Sequence, residues 1–357
     1  MNVLGLDIGG ANIKAAWAAI DAEGGVHALQ AKAQPFALWR EPQSLSRKLR
    51  EVAKSFDRFD ALAVTMTGEL CDCFATREQG VEQILEAVAS LAKRKQTGVW
   101  STKGRFISIA RAQSNWIDVA SANWHATASH MATQYAAEAV LLIDTGSTTT
   151  DLIRIERGKV KPRGKTDAQR LATGDLVYTG ASRTALASIM NEWRSRSGQS
   201  QHIAAERFAT AADIHTLLGN MPENEADIDT ADGQPMTRMH AANRVLRMIG
   251  SDLSMGTMAQ AMLWASRFAK RQVDLIAAAV SRLVKAREKL RVLVCGSGAF
   301  IAERAARKAL GRRANIERWS DTCGAAASEA ACAVALVALA ADPRSGVHGL
   351  KESESAR

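Results

Sequence analysis

Asp7-Ile8-Gly9-Gly10-Ala11-Asn12-Ile13-Lys14 gathers a carboxylate, two glycines, a side-chain amide and an amine into one short stretch between apolar runs. Two glycines in a tight turn let backbone N–H groups approach phosphate oxygens with no Cβ in the way. Asp7 ends the apolar run from Val3, where a carboxylate is suited to a hydrated Mg²⁺ rather than to phosphate itself. Asn12 offers a donor and Lys14 a positive charge. An ordinary Gly-Gly hairpin with a capping Asp would have the same local look. Asp144-Thr145-Gly146-Ser147-Thr148-Thr149-Thr150-Asp151 repeats the arrangement, with hydroxyls added to the amides and two carboxylates near one turn. A plain hairpin with threonines on its exposed face is the simpler account of that run, and it is the presence of both runs in one chain that argues against it. Gly296-Ser297-Gly298-Ala299, at a strand-to-helix junction, is a third place where backbone can approach a ligand beside an electropositive helix start.

These residues need strands that end at Asp7 and Asp144. Val3–Asp7 and Ile13–Ala19 read as a hairpin, and Ala61–Met66 as a short buried strand closed by Thr67-Gly68. Val81–Lys95 has helical spacing of apolar residues and a basic end. Val140–Asp144 and Thr150–Ile155 echo the first hairpin, which argues for a duplicated α/β lobe with a boundary near residue 135. Thr179–Leu290 reads as almost wholly helical around an acidic, turn-rich insert at Met221–Pro235, with a long helical stretch from Met255. A strand at Arg291–Cys295, a helix at Ala299–Leu310 and an Ala-rich helix at Cys323–Ala340 complete the order. The expected organisation is a first lobe of residues 1–135 plus about 320–340, a second of 136–319 with helical insertions, and a frayed tail over 341–357.

The chain has 357 residues, enough for two lobes with separate cores, and its 47% apolar and 23% charged content suits a folded globular protein. No stretch reaches the roughly 18 apolar residues of a membrane span, and the strand-like start at Val3 is not a signal peptide. The five cysteines are odd in number and scattered, which fits a reducing cytoplasm. The net charge of +9 comes without zinc-finger, helix-turn-helix or RNA-binding signatures, from separate segments such as Lys93-Arg94-Lys95, Arg267–Arg271 and Arg304–Arg313. Solvated helix faces account for most of it, and attraction of an anionic small-molecule substrate for the rest. The expectation is therefore a cytoplasmic protein with no nucleic-acid and no membrane partner, and a homodimer as the default assembly. Cys71-Asp72-Cys73 lacks the second pair of a structural zinc site, and His125 and His130 are five apart on a helix rather than on one face. Cys295, Cys323 and Cys332 are expected to be buried, and Met255, Met258 and Met262 to be core residues. No Ser-His-Asp arrangement is recognisable.

The order of the three loops is that of the superfamily containing acetate kinase, sugar kinases, heat-shock chaperones and actin. More narrowly, the chain resembles the hydantoinase/oxoprolinase-related branch, and within it the family of tetrahydromethanopterin-linked one-carbon-transfer pathway proteins that includes the methanofuran-synthesis condensing enzyme. The first and second loops carry this resemblance together with Thr65-Met66-Thr67-Gly68-Glu69-Leu70, Arg170–Gly180, Arg183-Thr184 and Thr230-Ala231-Asp232-Gly233. Asp175 stands where the family is expected to favour Glu, and Ala185 where it is expected to have Pro.

The resemblance implies an α/β, two-lobed actin-like ATPase (ribonuclease H-like) duplicated fold with a helix-rich second lobe. It implies a transferase that condenses an aminomethyl-furan-methanol diphosphate with the phenol oxygen of a tyramine- or tyrosine-glutamate unit, releasing diphosphate, in methylofuran or methanofuran synthesis. Mg²⁺ is the implied metal, with Asp7 and Asp144 as its ligands, and ATP or ADP is the alternative occupant. Gly9, Gly10, Ala11, Asn12, Lys14, Gly146, Ser147, Thr148 and Thr149 would bind phosphate. Asp151 or Glu69 would take the phenol proton, and Arg170 and Arg183 would bind diphosphate or carboxylates, structural ion pairs being the other account of both arginines. Thr67, Tyr178, Gly296, Ser297 and Gly298 complete the implied substrate site. An ATP-dependent kinase or hydantoinase/oxoprolinase-like hydrolase subunit is the rival enzyme reading, and a non-catalytic nucleotide-gated scaffold the rival of another class.

Overall fold

The computed structural model describes residues 1–195, 197–285, 288–311 and 314–342. The tail expected at 341–357 lies, past residue 342, outside the described residues, as do Arg312 and Arg313 of the last basic segment.

The described residues form two compact units, the first made of Met1–Leu142, Ile153–Thr173 and 319–342. Its sheet contains β1 (Asn2–Ile8), β2 (Asn12–Ile20), β3 (Val26–Pro35), β4 (Ala61–Met66), β5 (Gln96–Ser101) and β6 (Arg105–Ile107), in the order β3-β2-β1-β4-β5-β6. β1 runs antiparallel to β2 and parallel to β4, so it is central and buried from Val3 to Ile8. A strand covered on both faces reads as a continuous apolar run rather than an alternating one, which is why Val3-Leu4-Gly5-Leu6 carries no polar residue before Asp7. One cover is the helix Ala331–Ala341, buried along its whole length and packed on β1, β2 and β4. Gly5 allows this approach, because a Cβ there would meet the carbonyl oxygen of Ala333. The Ala-rich region is three helices rather than one: Ser320–Cys323, Ala325–Glu329 and Ala331–Ala341. Gly324, at φ +86°, ends the first of them.

The helix expected at Val81–Lys95 begins earlier, at Arg77, where the Thr76 hydroxyl accepts from the Gln79 amide, and ends at Ala92. Residues 153–173, assigned from sequence to the second lobe, group with the first unit. There the end of β8 (Thr150–Glu156) turns into β9 (Lys159–Val160), which packs on the helix Asn123–Gln134.

The second unit is Ile143–Leu152 with Gly174–Arg318. The second sheet has the order β10-β8-β7-β13-β14, from β7 (Ala139–Thr145), β8, β10 (Leu176–Val177), β13 (Arg291–Cys295) and β14 (Asn315–Arg318). β7, which ends near Asp144, is central as β1 is, with its hairpin partner on one side and a later strand on the other. The same order thus occurs twice in the chain, the duplication that the repeated Asp-x-Gly turns suggested.

The unit also holds a helical insertion with its own core, including Leu186, Ile214, Leu217, Val245, Leu246 and Phe268. The near-continuous helix expected over Thr179–Leu290 is not found. Short helices alternate with the hairpin of β11 (Glu192–Arg194) and β12 (Ser200–His202), and the longest helix is Met258–Leu283. That helix starts at a capping box, Thr257 and Gln260 each satisfying the other's backbone amide. Met255, outside it, and Met262, on its outer face, are exposed, and Met258 is half-buried, so the three do not form a core stripe. Cys323 is likewise only half-buried, its thiol donating to the carbonyl of Trp319. Among the described residues no helix is long and apolar enough to cross a membrane.

Candidate active site

The first loop is built in the first unit from four half-exposed residues, Gly9 to Asn12, at the end of buried β1. The Gly9 amide donates to the Asn12 carbonyl at 3.0 Å, closing the turn. The carbonyls of Ala11 and Gly10 accept from Phe36 and Leu38 at 3.0 and 2.9 Å. With those carbonyls engaged, the N–H groups of Gly10 and Ala11 take no part in the loop's own hydrogen bonds. Thr67 and Gly68 both donate to the Ile8 carbonyl, at 2.9 and 3.0 Å, and so lie against the loop. A Cβ on Gly68 would come within 3.1 Å of the Gly9 backbone. Asp7 is buried and stands across the strand pair from half-buried Lys14 and beside Thr65. Residues abreast on neighbouring strands point to one face, so these three share it. The Thr65 hydroxyl is buried and has no hydrogen-bond partner among the described residues.

The second loop repeats this construction in the second unit. Gly146 to Thr149 are half-exposed, and the Gly146 amide donates to the Thr149 carbonyl at 2.9 Å. The carbonyl of Gly146 accepts from Ala181, and that of Ser147 from Ser182 and Arg183, at 2.9 to 3.0 Å. The N–H groups of Ser147 and Thr148 are again left outside the loop's own bonds. Gly180 lies flat on the turn: a Cβ there would come within 2.6 Å of the Gly146 carbonyl and within 2.5 Å of the Thr148 amide nitrogen. Asp144 and Asp151 are buried, and the exposed side chains of Tyr178 and Arg183 flank the segment that covers the loop.

Gly296, Ser297 and Gly298 belong to the same unit and lie on the second loop's strand. The Gly298 amide donates to the Thr145 carbonyl at 2.8 Å. Gly296 has φ +85°, and a Cβ on it would meet the Thr145 carbonyl oxygen and come within 2.5 Å of Asp144 Oδ1. Gly296→Ala is expected to lower stability by about 3 kcal/mol, from left-handed strain and overpacking together. Urea denaturation measures it, and a loss below about 1 kcal/mol would mean that the contact relaxes freely.

Two residues expected at the site are placed elsewhere. Glu69 is fully buried and its Oε1 accepts from Arg77 Nη2 at 2.6 Å and from Ser121 Oγ at 2.8 Å. Arg77 also reaches Asp167 at 2.7 Å. Burial pushes the Glu69 carboxyl up, against the pull of Arg77. A carboxylate enclosed and held in this way anchors the turn after Gly68. Arg77→Met should cost about 3 kcal/mol, since it leaves a buried carboxylate without its counter-charge. Adding Glu69→Gln should restore part of that in the same denaturation assay, and a double variant no more stable than the single would refute this account. Arg170 is also buried, its guanidinium 4.2 Å from the Trp124 ring centroid, which makes it an internal support rather than an open anion site.

Among the described residues, Cys71 and Cys73 included, no three or more His, Cys, Asp or Glu are gathered in a way that could hold a metal ion. The Thr230–Gly233 turn serves the helical insertion, with Asp232 held by Arg244 at 2.8 Å and by Arg247 at 3.3 Å. Sequence reasoning missed Arg77 and the covering role of Gly180. Its only signal for the first was a basic residue opening a helix, against the dipole preference.

A strand order that occurs twice, each copy with a buried Asp at a central strand end and a glycine turn beside it, defines the actin-like ATPase class of fold. The acetone carboxylase of ATP-dependent acetone carboxylation, in its nucleotide-free structure, has a similar fold: TM-score 0.55 at 10% identity, over 94% of this chain and 70% of that one. The hydantoinase/oxoprolinase family matches residues 60–342, and the chain belongs to that family. It is 31% identical over 299 residues to the (4-{4-[2-(gamma-L-glutamylamino)ethyl]phenoxymethyl}furan-2-yl)methanamine synthase of Methanocaldococcus jannaschii, covering 83% of this chain and 86% of the relative. The synthase of the same name from Methanococcus vannielii is 30% identical over 158 residues, which are 44% of this chain and 70% of that relative.

Proposed function

We propose that this protein is a biosynthetic synthase that joins an aminomethyl-furan-methanol diphosphate to the phenol oxygen of a tyramine- or tyrosine-glutamate unit. The observation that carries the reading is the likeness to the named synthase across most of both chains. The two glycine turns support it, because the amides left outside each turn's own hydrogen bonds suit a diphosphate as well as they suit a nucleotide.

In the proposed reaction the carbon–oxygen bond to diphosphate breaks and the phenol oxygen bonds to that carbon. The phenol proton passes to a carboxylate and diphosphate leaves. A glycine turn of this kind, with the N–H groups of Gly10 and Ala11 in the first unit or of Ser147 and Thr148 in the second, would donate to the leaving group's oxygens, where negative charge grows. Asp151 is the remaining candidate for the proton. Arg183 would hold a carboxylate or phosphate, and the Tyr178 ring, which is exposed, would pack on an aromatic ring of the substrate. The residues present fit Mg²⁺: each turn has a hard carboxylate at its strand end, Asp7 or Asp144, and the Thr65 hydroxyl lies beside Asp7. Mg²⁺ is commonly held by one or two carboxylates plus substrate phosphates, and it would neutralise charge on the departing diphosphate.

The test supplies both organic substrates with Mg²⁺ and measures diphosphate release and the mass of the ether product. Release that requires both substrates is the expected result. Phosphate release from ATP with no ether product would overturn the reading in favour of an ATP-dependent kinase or hydrolase subunit. Tight nucleotide binding without turnover would favour a nucleotide-gated scaffold instead.

A further inference from the structure

We infer that Gln272 is a positioning residue for the second glycine turn, acting through a buried hydrogen-bond chain that begins at Asn220 and His215. The inference rests on the reading of that turn as a phosphate-binding element. Gln272 occupies a core position on the helix Met258–Leu283, in a stripe otherwise filled by residues such as Phe268, Ala269 and Ile276. Its side chain is fully buried. Nε2 lies 2.8 Å from the Gly180 carbonyl and 3.0 Å from Thr179 Oγ1. A backbone carbonyl only accepts, so the end of the amide facing Gly180 is the NH₂ group. Oε1 therefore faces His215 Nε2, at 2.8 Å, and that nitrogen carries the ring proton. His215 Nδ1 must then accept, and Asn220 Nδ2 stands 3.3 Å away to donate. The Asn220 Oδ1 accepts in turn from Arg304 at 2.9 Å. Burial holds the His215 pKa down at about 4, which keeps the ring neutral and this tautomer in place.

The far end of the chain reaches the turn itself. Gly180 packs on the backbone of Gly146, Ser147 and Thr148, and its amide donates to Thr184 Oγ1 at 2.9 Å. The following residues Ala181 to Arg183 donate to the turn's carbonyls. A buried polar group at an apolar helix position is costly unless each of its bonds is made. Here every bond made by Gln272 goes to the covering segment or to the histidine that orients it. With Gly180 fixed, the backbone of Ser147 and Thr148, whose amides the turn's own hydrogen bonds leave unused, is held in one conformation before a phosphate arrives.

The experiment compares the wild-type full-length protein with Gln272→Leu, Thr184→Val and His215→Gln by hydrogen exchange, with inorganic diphosphate titrated by calorimetry in the presence of Mg²⁺. Gln272→Leu is expected to speed exchange in segments 144–151 and 178–184 by about tenfold or more, with segment 7–14 unchanged. Thr184→Val should do the same to a smaller extent, while His215→Gln, which can still donate to Gln272, should stay close to wild type. Diphosphate affinity should fall by about tenfold in Gln272→Leu. Exchange in 144–151 that matches wild type, or rises no more than in 7–14, would overturn the inference. A merely structural role would lower the melting temperature without that selectivity. If the wild-type protein does not bind diphosphate, the synthase reading fails, and the exchange data still decide whether Gln272 positions the turn.

Discussion

Asp7→Asn is expected to reduce turnover at least about a thousandfold, and Asp144→Asn to do the same, with the fold retained in both. Asn has nearly the shape of Asp and can be accommodated at a buried strand end, so what is removed is the negative charge. Both carboxylates are buried beside a turn two of whose N–H groups take no part in the turn's own hydrogen bonds. A cation that neutralises a leaving diphosphate has no comparable oxygen ligand from the turns' backbone amides, which only donate. The check is steady-state diphosphate release, with circular dichroism to establish that the variants are folded. Asp72→Asn is the control, because Asp72 is exposed and adjoins the first turn without ending its strand. Wild-type rates in both Asp7→Asn and Asp144→Asn would remove the two turns from the chemistry.

Stability is expected to fall steeply as pH drops from about 6.5 to about 4. His125 is buried between Trp100 and Trp124, and burial lowers its pKa to about 4, with Lys165 and Arg170 adding to the effect. Burial does the same to His215. Each imidazole takes up a proton near its ordinary value in the unfolded chain but only near pH 4 in the folded one. Between those limits the unfolded state binds more protons, so acid favours unfolding, and the stabilisation is fully present only above pH 6.5. Each histidine accounts for about 3 kcal/mol over that interval, and the pair for a slope approaching about 2.7 kcal/mol per pH unit. Urea midpoints across the interval measure the slope, and His125→Gln and His215→Gln should each reduce it by about 1.4 kcal/mol per pH unit. A flat profile would show that both rings reach water in the folded protein.

The two turns were legible in the sequence because their chemistry is local. An apolar run, an Asp and one or two glycines within a few residues are sufficient to indicate a buried strand that ends in a tight turn. The repeat of strand order followed from the same local signals. The hairpin β11–β12 was not legible, since its two short, polar strands lack the alternation that marks a half-buried pair. Met255 and Met262 were misread because helical spacing shows that residues share a face, not which face is covered. Glu69 and Arg170 looked functional for their charge and position, but the partners that enclose them, Arg77 and Trp124, lie 8 and 46 residues away. Gln272 is 92 residues from Gly180, and nothing local pairs them. One sign was available, a polar residue at an apolar position of a strongly periodic helix.

The helix Ala331–Ala341 has a consequence for how the protein is made. β1 leaves the ribosome more than three hundred residues before the helix that covers its apolar face and the backbone at Gly5. The segment 143–152 with 174–318 forms a compact unit of its own and precedes that helix in the chain. Until that helix is made, β1, β2 and β4 present an uncovered apolar sheet surface, the kind of nascent surface that chaperones bind and that aggregates when they do not. The first sheet is therefore sealed only by a helix made more than three hundred residues after β1.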